Sequence, residues 1–145
     1  MKNAKKSFIL LFFLLAAGVF SGCASKEEPA IEPDFPLAGT HWAPLTGPQG
    51  AVLEFSPDAK RIVGTTNGNR FFAPVERVKG DLLNFGNIAI TRAISRDPER
   101  EAMFIDALDR TRAWKISDNT LVLEDERKKT VLRLQRLYLK KRKAK

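Results

Sequence analysis

The chain has 145 residues and a formal net charge of +8, which fits one modest domain once any leader is removed. The basic excess is concentrated at the two ends, in residues 2–6 and 140–145, and the body between them is nearly neutral. The sequence therefore lacks the clustered basic face of a nucleic-acid-binding protein, and no nucleic acid is expected as a partner. Because there is one cysteine, an internal disulfide is excluded and packing must hold the fold.

The first 22 residues predict a signal peptide. A short basic start is followed by Phe8–Phe20, a stretch of 13 residues without a charge. As a helix this stretch would span about 20 Å at about 1.5 Å per residue, whereas a bilayer core of about 30 Å needs about 20 residues. The stretch is therefore too short for a permanent membrane span, and it fits the apolar region of a secretory leader.

The leader ends in Ser21-Gly22-Cys23, which resembles the lipobox of bacterial lipoproteins, although Phe20 stands where an aliphatic residue is usual. The resemblance implies cleavage before Cys23, whose sulfur then carries lipid with two or three acyl chains such as palmitate. Two or more chains give a stable membrane anchor. Ala24 stands where an aspartate usually signals inner-membrane retention, so the periplasmic face of the outer membrane is favoured and the inner membrane is the alternative. An ordinary signal peptide, with Cys23 as a free thiol, is the competing interpretation.

The segment after the anchor predicts a tether. Residues 25–36 contain three prolines, four acids and little apolar material, a composition that favours a semi-extended chain without a core. The predicted division is a signal peptide at 1–22, a lipidated tether at 23–36, a domain at 37–139 and a basic tail at 140–145. The tail is either a solvated end or a contact with anionic lipid headgroups, worth about 1 kcal/mol per charge near the surface.

Short alternating runs separated by turn residues predict strands in the first part of the domain. Asn67-Gly68 tolerates positive φ and favours a hairpin turn, and Pro74 indicates an edge or a bulge in its strand. The predicted strands are Thr40–Leu45, Ala51–Phe55, Arg61–Thr65, Arg70–Val78, Asp81–Phe85 and Asn87–Thr91.

The periodicity then changes to that of a helix. Asp97 fits the N-cap, Pro98 the first helical position, and acids the first turn. Apolar residues from Phe104 onward recur at helical spacing, so one face should pack on a sheet before the helix ends near 109–111. The predicted closing strands are Ala113–Ser117, Thr120–Glu124 and Thr130–Leu139. The expected class is α+β: a small antiparallel β-rich domain of seven or eight strands, an open barrel or curved sheet, with one packed helix.

Several stretches, in their order and spacing, are similar to those of a known family. They are L-A-G-T-H-W at Leu37–Trp42, L-E-F at Leu53–Phe55, N-G-N-R-F at Asn67–Phe71, E-x-x-F-x-x-A-L at Glu101–Leu108 and N-x-L-x-L at Asn119–Leu123. Together they resemble the META domain family, which includes the HslJ-like proteins, over about Leu37–Leu137. The resemblance implies a β-rich α+β fold and little about chemistry, because these domains are mostly of unknown biochemical function. Many members carry a cysteine pair where this chain has Gly68 and Ser95, so their disulfide is absent.

No group of residues indicates an active site. His41 beside Trp42 is expected to be structural or on the surface, and Cys23 would be acylated, so no nucleophile–base pair is expected. One histidine and no free cysteine argue against a zinc site, and no cofactor is expected. The acids Asp97, Glu99 and Glu101 are explained by the helix dipole. Residues 124–126 lack the ligand spacing of a calcium loop.

Residues 69–72 are the most suggestive stretch of the domain. They predict either a binding surface with a polar tip and adjacent aromatics, formed by Asn67, Asn69, Arg70 and Phe71, or a hairpin turn with core phenylalanines, which is the favoured interpretation. The expected function is a membrane-anchored envelope lipoprotein whose non-catalytic domain binds or stabilises envelope proteins, with a connection to stress. The alternative is an inhibitor or a periplasmic module that binds small molecules.

Overall fold

The computed structural model describes residues 35–139. Cys23, the leader, most of the predicted tether and the basic tail lie outside the described residues. Within residues 35–139 there are nine strands and one helix. The number of strands exceeds the overall expectation of seven or eight but equals the number of strand segments predicted one by one. The strands are β1 (His41–Pro44), β2 (Val52–Phe55), β3 (Arg61–Thr65), β4 (Arg70–Lys79), β5 (Leu82–Phe85), β6 (Ala89–Ile90), β7 (Ala113–Ser117), β8 (Thr120–Glu124) and β9 (Thr130–Leu137); the helix α1 is Pro98–Asp109.

All strand pairings are antiparallel, in the order β3-β2-β1-β9-β8-β7-β5-β4-β6. The sheet curves until β3 also pairs with β4, so the strands form a ring. The ring is not a regular barrel, because β5 and β7 share a single Cα pair, Leu82 with Ala113. The predicted α+β class, with a curved antiparallel sheet and one helix, is confirmed.

The predicted irregularity near Pro74 is present as a register shift between Val75 and Arg77. Up to Pro74, β4 pairs with β3; from Val75 onward it pairs with β5. A bulge of this kind bends a strand and increases its twist. The long strand β4 therefore pairs with β3 and β6 in its first half and with β5 in its second half, which helps to close the ring.

The inward faces of the strands and one face of α1 share a single core. Leu121, Leu123 and Leu134 are fully buried, as their alternation predicts. Phe35 is also buried and packs edge to face against Phe55, with ring centroids 5.9 Å apart. Phe35 lies in the segment predicted as tether, so the packed part of the chain starts before the predicted boundary at residue 37.

Helix α1 begins and ends where its sequence predicts. The Asp97 side chain accepts a hydrogen bond from the Arg100 N–H at 3.2 Å, Pro98 occupies the first turn, and the last helical residue is Asp109. The buried face carries Phe104, and the centroid of its ring lies 5.7 Å from that of Phe71. In the part of the chain that the structure describes, no helix has both the length and the apolar content needed to cross a membrane.

Candidate functional site

The structure separates the four residues of the predicted binding surface. Asn67 is exposed at the β3–β4 turn with φ of 67°, and Arg70 is exposed at the start of β4. Asn69 and Phe71 are buried, at 4% and 2% exposure. Phe71 belongs to the core, whereas the Asn69 side chain turns toward the segment before α1. The four side chains therefore do not lie together on one surface.

Asn69 uses the full hydrogen-bonding capacity of its amide. Its Nδ2 donates to the Ala93 carbonyl at 3.2 Å and to Glu101 Oε1 at 2.8 Å. Its Oδ1 accepts from the Ala93 N–H at 2.7 Å and from the Thr91 hydroxyl at 2.9 Å. Two donors and two acceptor positions are all that an asparagine side chain offers. Asn69 therefore joins the β3–β4 hairpin, the segment after β6, and helix α1.

Glu101 is the helical partner in this network. Its side chain is on the buried face of α1, and the residue is 7% exposed. Oε1 accepts the hydrogen bond from Asn69, but no described residue donates to Oε2, which is closed off from solvent. Buried polar atoms are hydrogen-bonded in the large majority of cases, so an exception needs a physical reason.

Glu101 also lines a cleft of about 910 Å³ between α1 and residues 87–95. One wall is a face of the helix with Pro98, Ala102 and Ile105, and the other includes Ile88 and Ile90. Binding sites for small molecules are concave and mostly apolar, contain a few placed polar groups, and have volumes of roughly 300–1,000 Å³. The depression has a volume in this range and a mostly apolar lining, and it is shallow and widely open to solvent. We call it the α1 cleft.

The charged groups that line the α1 cleft are mainly acidic. Asp106 and Asp109 lie on α1, and Arg92 lies on the opposite wall. Asp106 forms an ion pair with Arg110, in which 2.9 Å separate Asp106 Oδ2 and Arg110 Nε. With Glu101, the lining holds three carboxylates and one guanidinium, in a chain whose net charge is +8.

The carboxyl groups with altered pKa values lie at turns outside the α1 cleft. A hydrogen bond from the Ser56 hydroxyl, and a second from the Lys60 N–H, hold the pKa of Asp58 below its usual value. The pKa of Asp125 is lowered by the Lys129 N–H and then by that of Arg127. These carboxylates fix local turns, since Asp and Asn side chains commonly bond the backbone a few residues ahead.

The arrangement offers binding groups rather than a nucleophile with its base. His41 on β1 is paired with Glu54 on β2, and the His41 Nε2 atom lies 3.1 Å from Glu54 Oε2. Neither residue lines the α1 cleft. No group of three or more His, Cys, Asp or Glu side chains that could hold a metal ion occurs within residues 35–139. The α1 cleft therefore offers an apolar surface beside polar and charged side chains, while Glu101 Oε2 is buried and has essentially no accessible surface.

Sequence reasoning did not predict the α1 cleft or the role of Glu101. The helix dipole already accounts for acids in a first turn, so the sequence alone gives Glu101 the same role as Asp97 and Glu99. One signal was present: Glu101 precedes Phe104 by three residues and Leu108 by seven, which places a carboxylate on the buried stripe. The bonds from Asn69 span 24 and 32 residues, and no local pattern predicts them.

Comparisons with known proteins agree with the fold. The model of the META domain family matches residues 36–137. No curated protein sequence matches the chain. A solved structure, that of a DUF4847 family protein from Bacteroides vulgatus ATCC 8482, is 16% identical with a TM-score of 0.55, and the match covers 69% of this chain and 94% of that chain. At this identity the likeness shows the fold alone.

The META domain is not a known catalytic family. The family match covers nearly all of the described residues and agrees with the resemblance found in the sequence. The chain belongs to the META domain family.

Proposed function

We propose that the chain is a lipid-anchored lipoprotein of the cell envelope whose META domain is a non-catalytic binding module. The observation that carries the binding role is the α1 cleft, where an apolar wall lies beside the charged side chains of Arg92, Asp106 and Asp109. A binding site needs this combination of hydrophobic area and a few oriented polar groups. The sequence predicts either a domain that binds or stabilises envelope proteins, or an inhibitor or small-molecule-binding module. Of these functions, the cleft favours the module that binds small molecules.

The anchor is proposed from Phe8–Phe20 and the Ser21-Gly22-Cys23 sequence that follows. Acyl chains on Cys23 would hold the protein at a membrane surface, since two chains anchor stably where one binds reversibly. Residues 24–34 would then separate the domain from the bilayer. The outer membrane is the proposed location, because Ala24 follows the cysteine.

Mass spectrometry and membrane fractionation of the native protein test the anchor. The parent chain should start at Cys23, carry acyl chains and sediment with membranes, whereas a Cys23→Ser variant should stay uncleaved and without lipid. A native protein with a bare thiol at Cys23 would contradict the lipoprotein assignment.

A bulky side chain in the α1 cleft tests the binding role. Ala102 is an exposed residue of α1 that lines the cleft, so Ala102→Trp should fill it with little effect on the core. Glu99→Trp is the matched control, because Glu99 is exposed on the same helix but does not line the cleft. Crosslinked membranes, and extracts of envelope small molecules, should yield a ligand with the parent and with Glu99→Trp, and none with Ala102→Trp. Equal recovery with both variants would remove the cleft from the function.

A further inference from the structure

We propose that residues 140–145 bind the surface of an anionic phospholipid bilayer, which turns the end of the domain with Tyr138 and Leu139 toward the membrane and the α1 cleft away from it. The inference goes beyond the proposed binding function, and it rests on the proposed anchor for the presence of a membrane nearby. It depends on the place where the two ends of the described chain leave the ring, on the charge of the segments beyond them, and on two exposed side chains there.

Both ends of the described chain lie at one end of the ring. His41, the first residue of β1, pairs with Leu137, the last residue of β9, and the chain is described as far as Leu139. Phe35, where the described chain begins, packs against Phe55, which ends β2 beside the start of β1. The proposed tether and the basic segment 140–145 therefore leave the domain at the same end.

Helix α1 lies at the opposite end of the ring. The loop that follows β1 reaches the helix, since a Cβ added to Gly47 would lie 3.8 Å from a ring carbon of Phe104. Leu132, near the start of β9, lines a groove with Phe104, and from Leu132 to Leu137 the strand advances roughly 16 Å at about 3.3 Å per residue. The β3–β4 turn with Asn69 is also at this end, because β3 runs in the same direction as β1. A membrane at the chain ends therefore leaves the α1 cleft facing the aqueous phase.

The charge of residues 140–145 is complementary to an anionic surface. The segment contains five basic side chains and no acid, and each basic residue close to such a surface strengthens binding about fivefold. The exposed acids of the neighbouring turns, Asp58 and Asp118, are matched in number by Lys60 and Arg136. The tether at 25–36 has four acids, which an anionic surface repels. Of the two segments that leave this end, residues 140–145 are therefore the one that is attracted.

The lengths of the two segments permit the contact. Residues 24–34 span at most about 38 Å, and residues 140–145 at most about 21 Å. The basic segment therefore reaches the bilayer whenever the domain lies within about half of the greatest distance that the tether allows. Because the proposed anchor makes this contact intramolecular, a weak affinity for lipid is sufficient.

Tyr138 and Leu139 add apolar contact beside the basic segment. They are 71% and 66% exposed. The Tyr138 hydroxyl donates to Asn119 Oδ1 at 2.7 Å, and the guanidinium carbon of Arg136 lies 5.7 Å from the centre of the ring. Tyrosine is enriched where a membrane meets water, because its ring is apolar and its hydroxyl polar. Binding to a bilayer surface increases with apolar area as well as with the attraction of basic residues to anionic lipid.

Vesicle binding by the mature chain without acyl groups separates the basic segment from the anchor. The chain from residue 23, with Cys23→Ser, is sedimented with vesicles of phosphatidylcholine alone or of phosphatidylcholine and phosphatidylglycerol in a two-to-one ratio. It should bind the anionic vesicles at least tenfold more tightly. The preference should disappear in 1 M salt, where the Debye length is about 3 Å. Equal binding to both kinds of vesicle at low salt would overturn the proposal.

Matched variants test whether residues 140–145 carry this binding. Lys140→Gln/Lys141→Gln should weaken binding to the anionic vesicles at least tenfold. Arg127→Gln/Lys129→Gln removes the same charge from exposed residues of the β8–β9 turn, at the end near α1, and should weaken it less than threefold. Equal losses in the two variants would show that net charge alone governs binding, and would overturn the assignment to this segment.

Spin-labelled lipid headgroups test the orientation of the native, acylated protein. In nanodiscs that contain phosphatidylglycerol, the label should broaden the methyl signals of Leu139 and leave those of Ile105, which lines the α1 cleft, unchanged. Equal broadening of Leu139 and Ile105 would overturn the orientation, and broadening of Leu139 that persists in Lys140→Gln/Lys141→Gln would overturn the role of the basic segment. A bare thiol at Cys23 would contradict the anchor but not the vesicle binding, so the two proposals fail separately.

Discussion

Removal of the Asn69 side chain should destabilise the domain more than its small size suggests. The Asn69→Ala variant loses four hydrogen bonds, a buried one to the carboxylate of Glu101 and three that are partly buried. A neutral hydrogen bond contributes about 1 kcal/mol net, and one to a charged group about 1.5–3 kcal/mol. Ala93 and Thr91 are exposed residues, so water can satisfy part of what is lost. We expect a decrease of about 3–5 kcal/mol in the free energy of unfolding, which is large against the 5–15 kcal/mol typical of a domain.

Guanidinium denaturation followed by tryptophan fluorescence measures this loss. Asn87→Ala is the matched control, because Asn87 is an exposed asparagine that lines the same cleft, and it should cost less than about 0.5 kcal/mol. The Asn69→Ala/Glu101→Ala double variant should lose less than the sum of the single losses by about 1 kcal/mol or more, as expected for residues in contact. A loss below about 1 kcal/mol for Asn69→Ala would refute the idea that these bonds hold the segment in place.

Two further predictions concern the turns and the missing cysteine pair. The folded pKa of Asp125 lies below the usual 3.8, so its contribution to stability is present above that value and disappears as the pH falls through the folded pKa. Asp125→Asn should therefore lower Tm at pH 7, and the difference from the parent should shrink as the pH falls below 3.8 and through the folded pKa of Asp125; a difference independent of pH would contradict this cause. A Cβ added to Gly68 would lie 3.7 Å from the Ser95 Cα, so the double variant Gly68→Cys/Ser95→Cys should form a disulfide and gain about 2–4 kcal/mol. Reductant should abolish that gain, and an equal Tm with and without the crosslink would show that it strains the fold.

Local signals in the sequence predict the elements of this domain well. Asp97 and Pro98 are sufficient to place the start of α1, because capping depends on a few consecutive residues. Alternation places Leu121 and Leu123 on one buried face, because the side-chain period of a strand is two. The turn residues between strands are equally local. These features need no knowledge of distant contacts.

The closure of the ring and the position of Phe35 need information from distant parts of the chain. The pairing of β3 with β4 is a hairpin and is local, but the ring also needs β1 beside β9, about 90 residues apart. Phe35 lies in a stretch whose average composition is that of a tether. Its burial involves a ring contact with Trp114, with the ring centroids 5.3 Å apart. Composition averages over a window and cannot single out the one residue in it that reaches the core.

The Asn69 network and the absent disulfide concern the same two segments. The family resemblance associates a cysteine pair with positions 68 and 95, and the structure places these positions in contact. Asn69, next to the first position, binds Ala93, which is two residues from the second. In this chain hydrogen bonds therefore join the two segments between which the family resemblance implies a disulfide in many members. Hydrogen bonds can open, and these also hold Glu101 at the α1 cleft. A ligand that binds only while these hydrogen bonds are formed stabilises the hydrogen-bonded state by mass action. Ligand binding should therefore raise the stability of the β3–β4 hairpin and of α1 together. A disulfide between positions 68 and 95 would already hold these segments together, so ligand binding would then add little to their stability.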